Sequence, residues 1–430
     1  MDVSVKKSDR QNSILARMHV LPPVPLEPGQ WNLLFLLGLS ISLGRYDTEL
    51  LSLVIPFVQR DIGISEETVT SIFGLTKLGI IAGVLIGLLA DRFGRVRLLS
   101  FTILGFSLAA GATAFASTQS QFVVAQFVAR AFIETEAGLV VVIAVETLSP
   151  RNRGWALGFG AAFAATGAGL AALPYAFIEY LPGGWRALYA FSLIGFVLLA
   201  FIRRNLPESS RFLEAKAKRP KASLVGPLRK LLGGAYRLRL MWLALAQGIF
   251  AFGIASVFAL QAKFLIETHG FRPADITILF ILGGGIAVFG NIVGGLAADR
   301  FGRKPILTVS LVLTSVGAFG FFSNAGSLMV AFWILYAFSQ FAAGVIFAAM
   351  EVELFPTNQR ATASTLTNVA VTLGFALGAV AEGLMFTLTG SHAVGASLLA
   401  LPIPLAALIV IAFLPETANR DLEEIAPDQD

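Results

Sequence analysis

The stretch Gly87-Leu-Leu-Ala-Asp91-Arg92-Phe-Gly94-Arg95-Val-Arg97 is a short charged turn between two long apolar runs. It returns as Gly295-Leu-Ala-Ala-Asp299-Arg300-Phe-Gly302-Arg303-Lys304, 208 positions later in a chain of 430 residues. Two further pairs keep that spacing. Glu146 and Arg153, with Pro150 between them, recur as Glu353 and Arg360 around Pro356, 207 positions on. Pro207-Glu208-Ser209 recurs as Pro415-Glu416-Thr417 at an offset of 208. Three matches in one order at one offset mean two fused copies of one unit.

Composition says what the unit is made of. The chain is 56% hydrophobic and 14% charged, with a mean hydropathy of +0.76. A soluble domain carries about 25% charged residues, so a water-soluble fold has nowhere to bury this much apolar surface. There are no cysteines, hence no disulfide framework and no thiolate metal site. The net charge of +5 does not point to nucleic acid, because the basic residues sit in loops beside apolar spans.

Residues 1–30 are polar and Pro-rich and lack the apolar core of a signal peptide, so they read as a cytoplasmic tail. Apolar runs of about 20 residues then follow one another, each enough to cross a bilayer as a helix. Six lie in 31–204, a basic segment spans 205–237, six more lie in 238–414, and 415–430 form a second tail. The expected fold is an all-α membrane protein with 12 transmembrane helices in two six-helix repeats. Of the 32 Lys and Arg, 25 fall in the tails, the central segment and the loops on that side. Four (Arg60, Arg186, Lys263, Arg272) fall in the opposite loops, and three (Arg45, Lys77, Arg130) lie within spans. That bias puts both termini in the cytoplasm of a multi-pass cell (inner) membrane protein. Gly-rich runs at 154–169 and 283–295 suit close helix packing.

Six plus six helices, a basic central loop and the repeated Gly-x-x-x-Asp-Arg-x-Gly-Arg turn resemble the major facilitator superfamily. Glu146…Pro150…Arg153, Pro207-Glu208-Ser209-Ser210-Arg211, Glu353…Pro356…Arg360 and Pro415-Glu416-Thr417 resemble the motifs of its sugar porter and organic-acid proton symporter branch. One departure concerns the seventh helix. Gln247 stands alone and Gly253-Ile254 is followed by Ala255, where sugar porters carry an Asn that binds hydroxyls. The solute is therefore open between an organic anion and a sugar-like compound.

The resemblance implies a secondary active transporter with proton-coupled symport by a rocker-switch motion around a midplane site. Charges inside the spans are the candidates for that work, since each is costly in lipid. The first half holds Arg45, Asp47 and Glu49, then Lys77, then Arg130, Glu134 and Glu136. At an offset of 208, Asp47 and Arg130 correspond to Ala255 and Phe338, so the cluster is not repeated. The resemblance assigns proton coupling to Asp47 with Arg130 as its partner and Glu134 as the second candidate. Desolvation raises a carboxyl pKa and a nearby Arg lowers it, so such a group can titrate as a cavity opens and closes. Arg45, Glu49, Lys77, Glu136, Gln247, Asn291, Gln340, Asn368 and the lone carboxylate Glu382 are candidates for the substrate cavity. Static pairing that fixes helix packing explains the charges about as well, and inter-helix bonding the amides.

Asp91, Arg92, Arg95, Glu146, Arg153 and Glu208 in one half, and Asp299, Arg300, Arg303, Glu353, Arg360 and Glu416 in the other, resemble the family's cytoplasmic gate network. Of the other classes, an enzyme has little support: His19, His269 and His392 lie in a tail and outer loops, and no metal cluster or nucleophile dyad is evident. A proton-driven drug or metabolite exporter, or an uncoupled facilitator, shares the fold. The expected partners are a small-molecule substrate, protons and the lipid bilayer, with no cofactor and no nucleic acid, and the chain is expected to act as a monomer.

Overall fold

The computed structural model describes residues 22–87, 93–205, 231–323, 326–356, 359–420 and 422–427. Among these there is no strand, as lipid requires of a spanning chain that does not close into a barrel. Twelve crossings follow in order. The first half holds α1 (Pro28–Ile62), α2 (Glu66–Lys77) continued by α3 (Gly79–Gly87), α4 (Arg95–Thr113), α5 (Gln119–Thr147) and α6 (Arg153–Tyr175). Its sixth crossing runs through α7 (Trp185–Ala190), a 3-10 turn and α8 (Gly195–Asn205). The second half holds α9 (Arg237–Glu267), α10 (Pro273–Phe301), α11 (Arg303–Phe322), α12 (Met329–Glu353) and α13 (Arg360–Thr389). Its last crossing is α14 (His392–Ala400) followed by α15 (Ile403–Phe413), and a short α16 (Leu422–Ile425) closes the chain.

Among the described residues, nine crossings are long and apolar enough to span a membrane by length and composition alone. The other three are α1 and α5, which carry the buried charges, and Gly- and Ala-rich α6. Leu85, Leu296 and Leu377 keep 62%, 66% and 63% of their surface exposed on the outside of the bundle. A belt of such residues is at home in hydrocarbon and not in water.

The repeated turn has one backbone geometry. Gly94 lies at φ 100° and ψ 147°, and Gly302 at φ 106° and ψ 148°. A side chain at either position would be strained, which is why the motif keeps glycine in both copies. The helix starting after each turn, α4 or α11, runs away from the face where Val24 bonds Asn152 and Tyr236 bonds Pro427. That face is called the tail face here, and the opposite one the far face.

The halves meet unevenly along the bundle. Helix α13 packs chiefly along α2, with lesser contact to α3, while α9 packs on α1 and α10 on α6. A Cβ on Gly383 would fall 2.3 Å from the Glu67 carbonyl, and one on Gly74 2.8 Å from that of Ala376. Glycine is what lets α2 and α13 approach this closely. Among the described residues, the hydrogen bonds and ion pairs joining the halves gather at the far face. They include Thr277 Oγ1 donating to the Ala172 carbonyl (2.8 Å) and Lys263 Nζ to Gln59 Oε1 (2.7 Å). One apolar core is continuous from the far end of the first half into the second, whereas the tail end of the first half has a core of its own. The bundle is thus closed at the far face and splayed toward the tail face.

Candidate functional site

Helices α1 and α5 bring the first-half charges together. Asp47 is fully buried beside Arg130 and Gln126, yet neither carboxylate oxygen closes a hydrogen bond among the described residues. Arg130, 3% exposed, donates through Nη1 to Thr48 Oγ1. Thr48 in turn donates to the Gly44 carbonyl at 2.9 Å. Glu136 is buried and accepts from Ser40, while its Oε2 lacks a partner among the described residues. Leaving buried carboxylate oxygens unmatched is expensive, so Asp47 and Glu136 are poor candidates for purely structural glue.

Glu134, Glu136, Arg45 and Thr48 line a slot of about 30 Å³ between α1 and α5. The slot adjoins a groove of about 190 Å³ that also takes in α6 and shares Arg45, Ile41 and Ala137 with it. The groove walls are otherwise apolar, with Leu37, Val140 and Phe159 among them. Phe159 belongs to an aromatic ladder. It stacks on Trp155 at 5.3 Å between ring centres and meets Phe163 at 4.9 Å. Lys77, half-buried, sits over the Phe375 ring at 5.1 Å, within electrostatic range of Glu134 and Glu49. Glu49 is half-buried between Arg45, Arg130 and Lys77. Asp47 lines neither cavity and faces the interior of the first half.

In the second half, Gln247 does not act alone. It donates to Glu351 Oε1 at 2.9 Å, and Ser364 and Thr367 donate to the same carboxylate at 3.0 and 2.8 Å. Sequence reasoning missed Glu351 because it stands two residues before the loop-motif Glu353 and reads as part of it. Gln340 is half-buried with its Oε1 unpartnered among the described residues, Asn291 is half-buried, and Asn368 is exposed.

Glu382 needs correcting: it is not a lone carboxylate, and it lies away from the α1–α5–α6 groove. It is fully buried and 2.8 Å from Nδ1 of His392, whose Nε2 lies 2.9 Å from Glu66 across the boundary between the halves. Lys263 is also not a loop charge. It is 3% exposed within α9 and pairs with Glu66 at 3.0 Å and Glu267 at 2.6 Å. Both were misjudged because they sit at the ends of apolar runs, where a charge reads as solvated.

At the tail face, each half pairs within itself. Arg95 lies 3.2 Å from Glu146, and Arg303 lies 2.8 Å from Glu353 and 2.5 Å from Asp299. Glu416 accepts from the backbone N–H groups of Arg303, Lys304, Thr417 and Ala418 at 2.8 to 3.0 Å. Burial pushes its carboxyl pKa up, but these four donors together hold it below the ordinary value. Arg360 donates to the Phe355 carbonyl at 3.0 Å, and Arg300 stacks on Phe301. Asp91, Arg92 and Glu208 and the side chain of Arg153 lie outside the described residues.

Twelve crossings in two halves, each with the same glycine turn, define a multi-pass membrane protein. The sequence matches the Major Facilitator Superfamily over residues 34–296 and again over 243–428, and the chain belongs to that superfamily. It is 27% identical over 406 residues to a protein of Bacillus subtilis (strain 168) named provisionally as a niacin/nicotinamide transporter, spanning 92% of this chain and 98% of that one. It is 25% identical to the gallate transporter of Pseudomonas putida, over 90% of this chain and 92% of that one. The 3-(3-hydroxy-phenyl)propionate transporter of Escherichia coli (strain K12) is 28% identical, over 81% and 85%. The inward-open xylose transporter XylE of E. coli shares the fold, with a TM-score of 0.72 and 19% identity over 92% of this chain and 99% of that one.

Proposed function

We propose that the chain is a proton-coupled uptake carrier for a small organic anion with an apolar ring, with its tail face in the cytoplasm. The observation that carries this reading is the α1–α5 pair. Asp47 is buried beside Arg130 without a closed hydrogen bond, and Arg45 and Phe159 line one groove on the other side of α1. A cation and an aromatic wall in one groove suit a ring bearing a carboxylate. Of the solutes named for these relatives, niacin, gallate and 3-(3-hydroxy-phenyl)propionate have that form, whereas nicotinamide, named beside niacin, is an uncharged ring amide. The Ala255 position, stripped of the amide expected for hydroxyl binding, favours the anion over a sugar.

Coupling follows from charge balance. A bound anion adds one negative charge to a cluster of three cations and four carboxylates, and a proton on Asp47 offsets it. Loaded with the anion alone, the cluster carries two net negative charges against one when both or neither are bound, so the cleft closes least readily in that state, because an uncompensated charge in a sealed low-dielectric site is costly. The two halves then rock about the site.

The test is purified protein in liposomes holding a pH dye. Nicotinate, gallate, 3-(3-hydroxyphenyl)propionate and xylose are added outside, with wild type and Asp47→Asn run in parallel. The expected result is proton uptake driven by an aromatic acid in wild type and abolished in Asp47→Asn. Solute uptake without proton movement makes the chain a facilitator and overturns the coupling. Equal proton movement in Asp47→Asn places the coupling group elsewhere, with Glu134 next.

A further inference from the structure

At the far face a histidine ring is held between two carboxylates from different halves. His392 Nδ1 lies 2.8 Å from Glu382 Oε1, and Nε2 lies 2.9 Å from Glu66 Oε2. Phe386 stacks on the ring at 4.2 Å and fixes its plane. Glu66 belongs to α2 in the first half, while Glu382 and His392 belong to α13 and α14 in the second. The contact through Nε2 is therefore a bond between halves.

The proton count at this ring is constrained by geometry. An ionised carboxylate only accepts, and a neutral imidazole donates from one nitrogen alone. Two close carboxylate contacts need two shared protons. The ring is an imidazolium between two carboxylates, or a neutral ring beside one carboxylic acid. Either way the trio holds one proton more than a neutral ring with two carboxylates. The surrounding charges give the same count. Glu66, Glu382 and Glu267 face Lys263 and Arg60, which leaves one negative charge unmatched until the extra proton is present. Glu67, the remaining charge on this turn of α2, is exposed to solvent.

We infer that the Glu66–His392–Glu382 trio is a proton-binding latch that holds the far face closed, separate from the Asp47–Arg130 pair. Binding a proton completes both contacts of the ring. Releasing it to water, through the side of Glu66 that is 44% exposed, sets lone pair against lone pair at one contact. Glu382 is fully buried and its Oε2 has no other partner among the described residues, so its bond to the ring is the costlier one to break. The ring therefore parts from Glu66 first, and the far face is freed to open. Acid outside thus favours the state open to the tail face. This inference rests on the reading of the chain as a rocking carrier and goes beyond it.

The chain has no cysteine, so paired spin labels can be introduced cleanly. Phe115→Cys and Leu388→Cys place them on opposite halves at the far face, at positions 81% and 76% exposed. Distances are measured without solute in lipid nanodiscs from about pH 8 to about pH 5, the range across which a histidine changes charge. In wild type the short-distance population grows as pH falls. In His392→Gln that growth is abolished. In Glu66→Gln the amide can bond a neutral ring through either end, so the short distance dominates at every pH. A wild type that ignores pH, or variants that both follow the wild-type curve, overturns the latch. If His392→Gln does not fold, Glu66→Gln decides alone. Gly383→Leu separates this failure from that of the carrier reading, because its side chain has no room against the Glu67 carbonyl and wedges the far face open. A distance that lengthens with the wedge but ignores pH sinks the latch only. A distance unmoved by either sinks the rocking motion as well.

Discussion

At the scale of single residues, the carboxylates divide by what surrounds them. Glu351 gathers three donors from α9 and α13 and is satisfied, whereas Asp47 sits beside a cation with neither oxygen closing a bond. The first pattern is that of a structural tie, and the second is the one on which the proposed proton site rests. Glu351→Ala should leave Gln247, Ser364 and Thr367 without their shared acceptor. At about 1–3 kcal/mol for each buried group left unmade, a clear fall in melting temperature by fluorescence-detected size exclusion is expected. Asp47→Asn should lower the melting temperature less than Glu351→Ala does, since no hydrogen bond is lost with the charge and Arg130 keeps its bond to Thr48. Glu416 gives a pH signature. Its folded pKa is depressed, so its contribution is present above the ordinary carboxylate range and is lost as pH falls through the lowered value. Glu416→Gln should therefore cost about 1 kcal/mol at neutral pH, as loss of a helix N-terminal acceptor does. That difference from wild type should shrink in melts taken at progressively lower pH.

At the scale of helices, the glycines sort into two kinds that their spacing alone did not separate. Gly374 and Gly378 of α13 press on α9, where an added Cβ would fall 2.1 and 2.2 Å from the carbonyls of Gly248 and Phe252. Gly158, Gly169, Gly284 and Gly285 have nothing within 4 Å of that position. Gly374→Ala should destabilise by about 1–3 kcal/mol through forced separation of α9 and α13. Gly169→Ala should be neutral or stabilising by up to about 1 kcal/mol, because alanine favours helix. Thermal melts of the two variants side by side check the contrast. If both behave alike, the close approach of α9 and α13 is not what holds that pair.

At the scale of the whole molecule, the far face is a lock made of glycine contact and a charge network, and the tail face is where each half is tied to itself. Lys263 joins Gln59, Glu66 and Glu267 while buried, so its removal weakens the lock directly. Lys263→Met should shift the population toward the state open at the far face, and a loss of about 1.4 kcal/mol makes that shift tenfold. The measurement is alkylation of Val141→Cys, a groove position 44% exposed in the present state, by a reagent applied at the tail face. Its rate should fall severalfold in the Lys263→Met background. An unchanged rate would mean that the network follows the closure of the far face without controlling it.

The sequence by itself determined the repeat, the twelve crossings and the charged turn with its glycine. It could do so because apolar run length and a backbone position closed to side chains are local properties, written where they act. The first-half charges were legible for the same reason, since a charge in an apolar run needs no partner to be conspicuous. Tertiary structure alone decided which of them meet: that Asp47 turns inward to Arg130 while Arg45 and Glu134 line a slot. It also decided that Glu382 is bonded rather than alone. His392 and Glu66 stand 326 residues apart and Lys263 and Gln59 stand 204 apart, each at the end of an apolar run. No spacing rule links them. Their bonds exist only because the halves pack together, α13 on α2 glycine to backbone and α9 on α1, and those contacts are a property of the folded pair of halves.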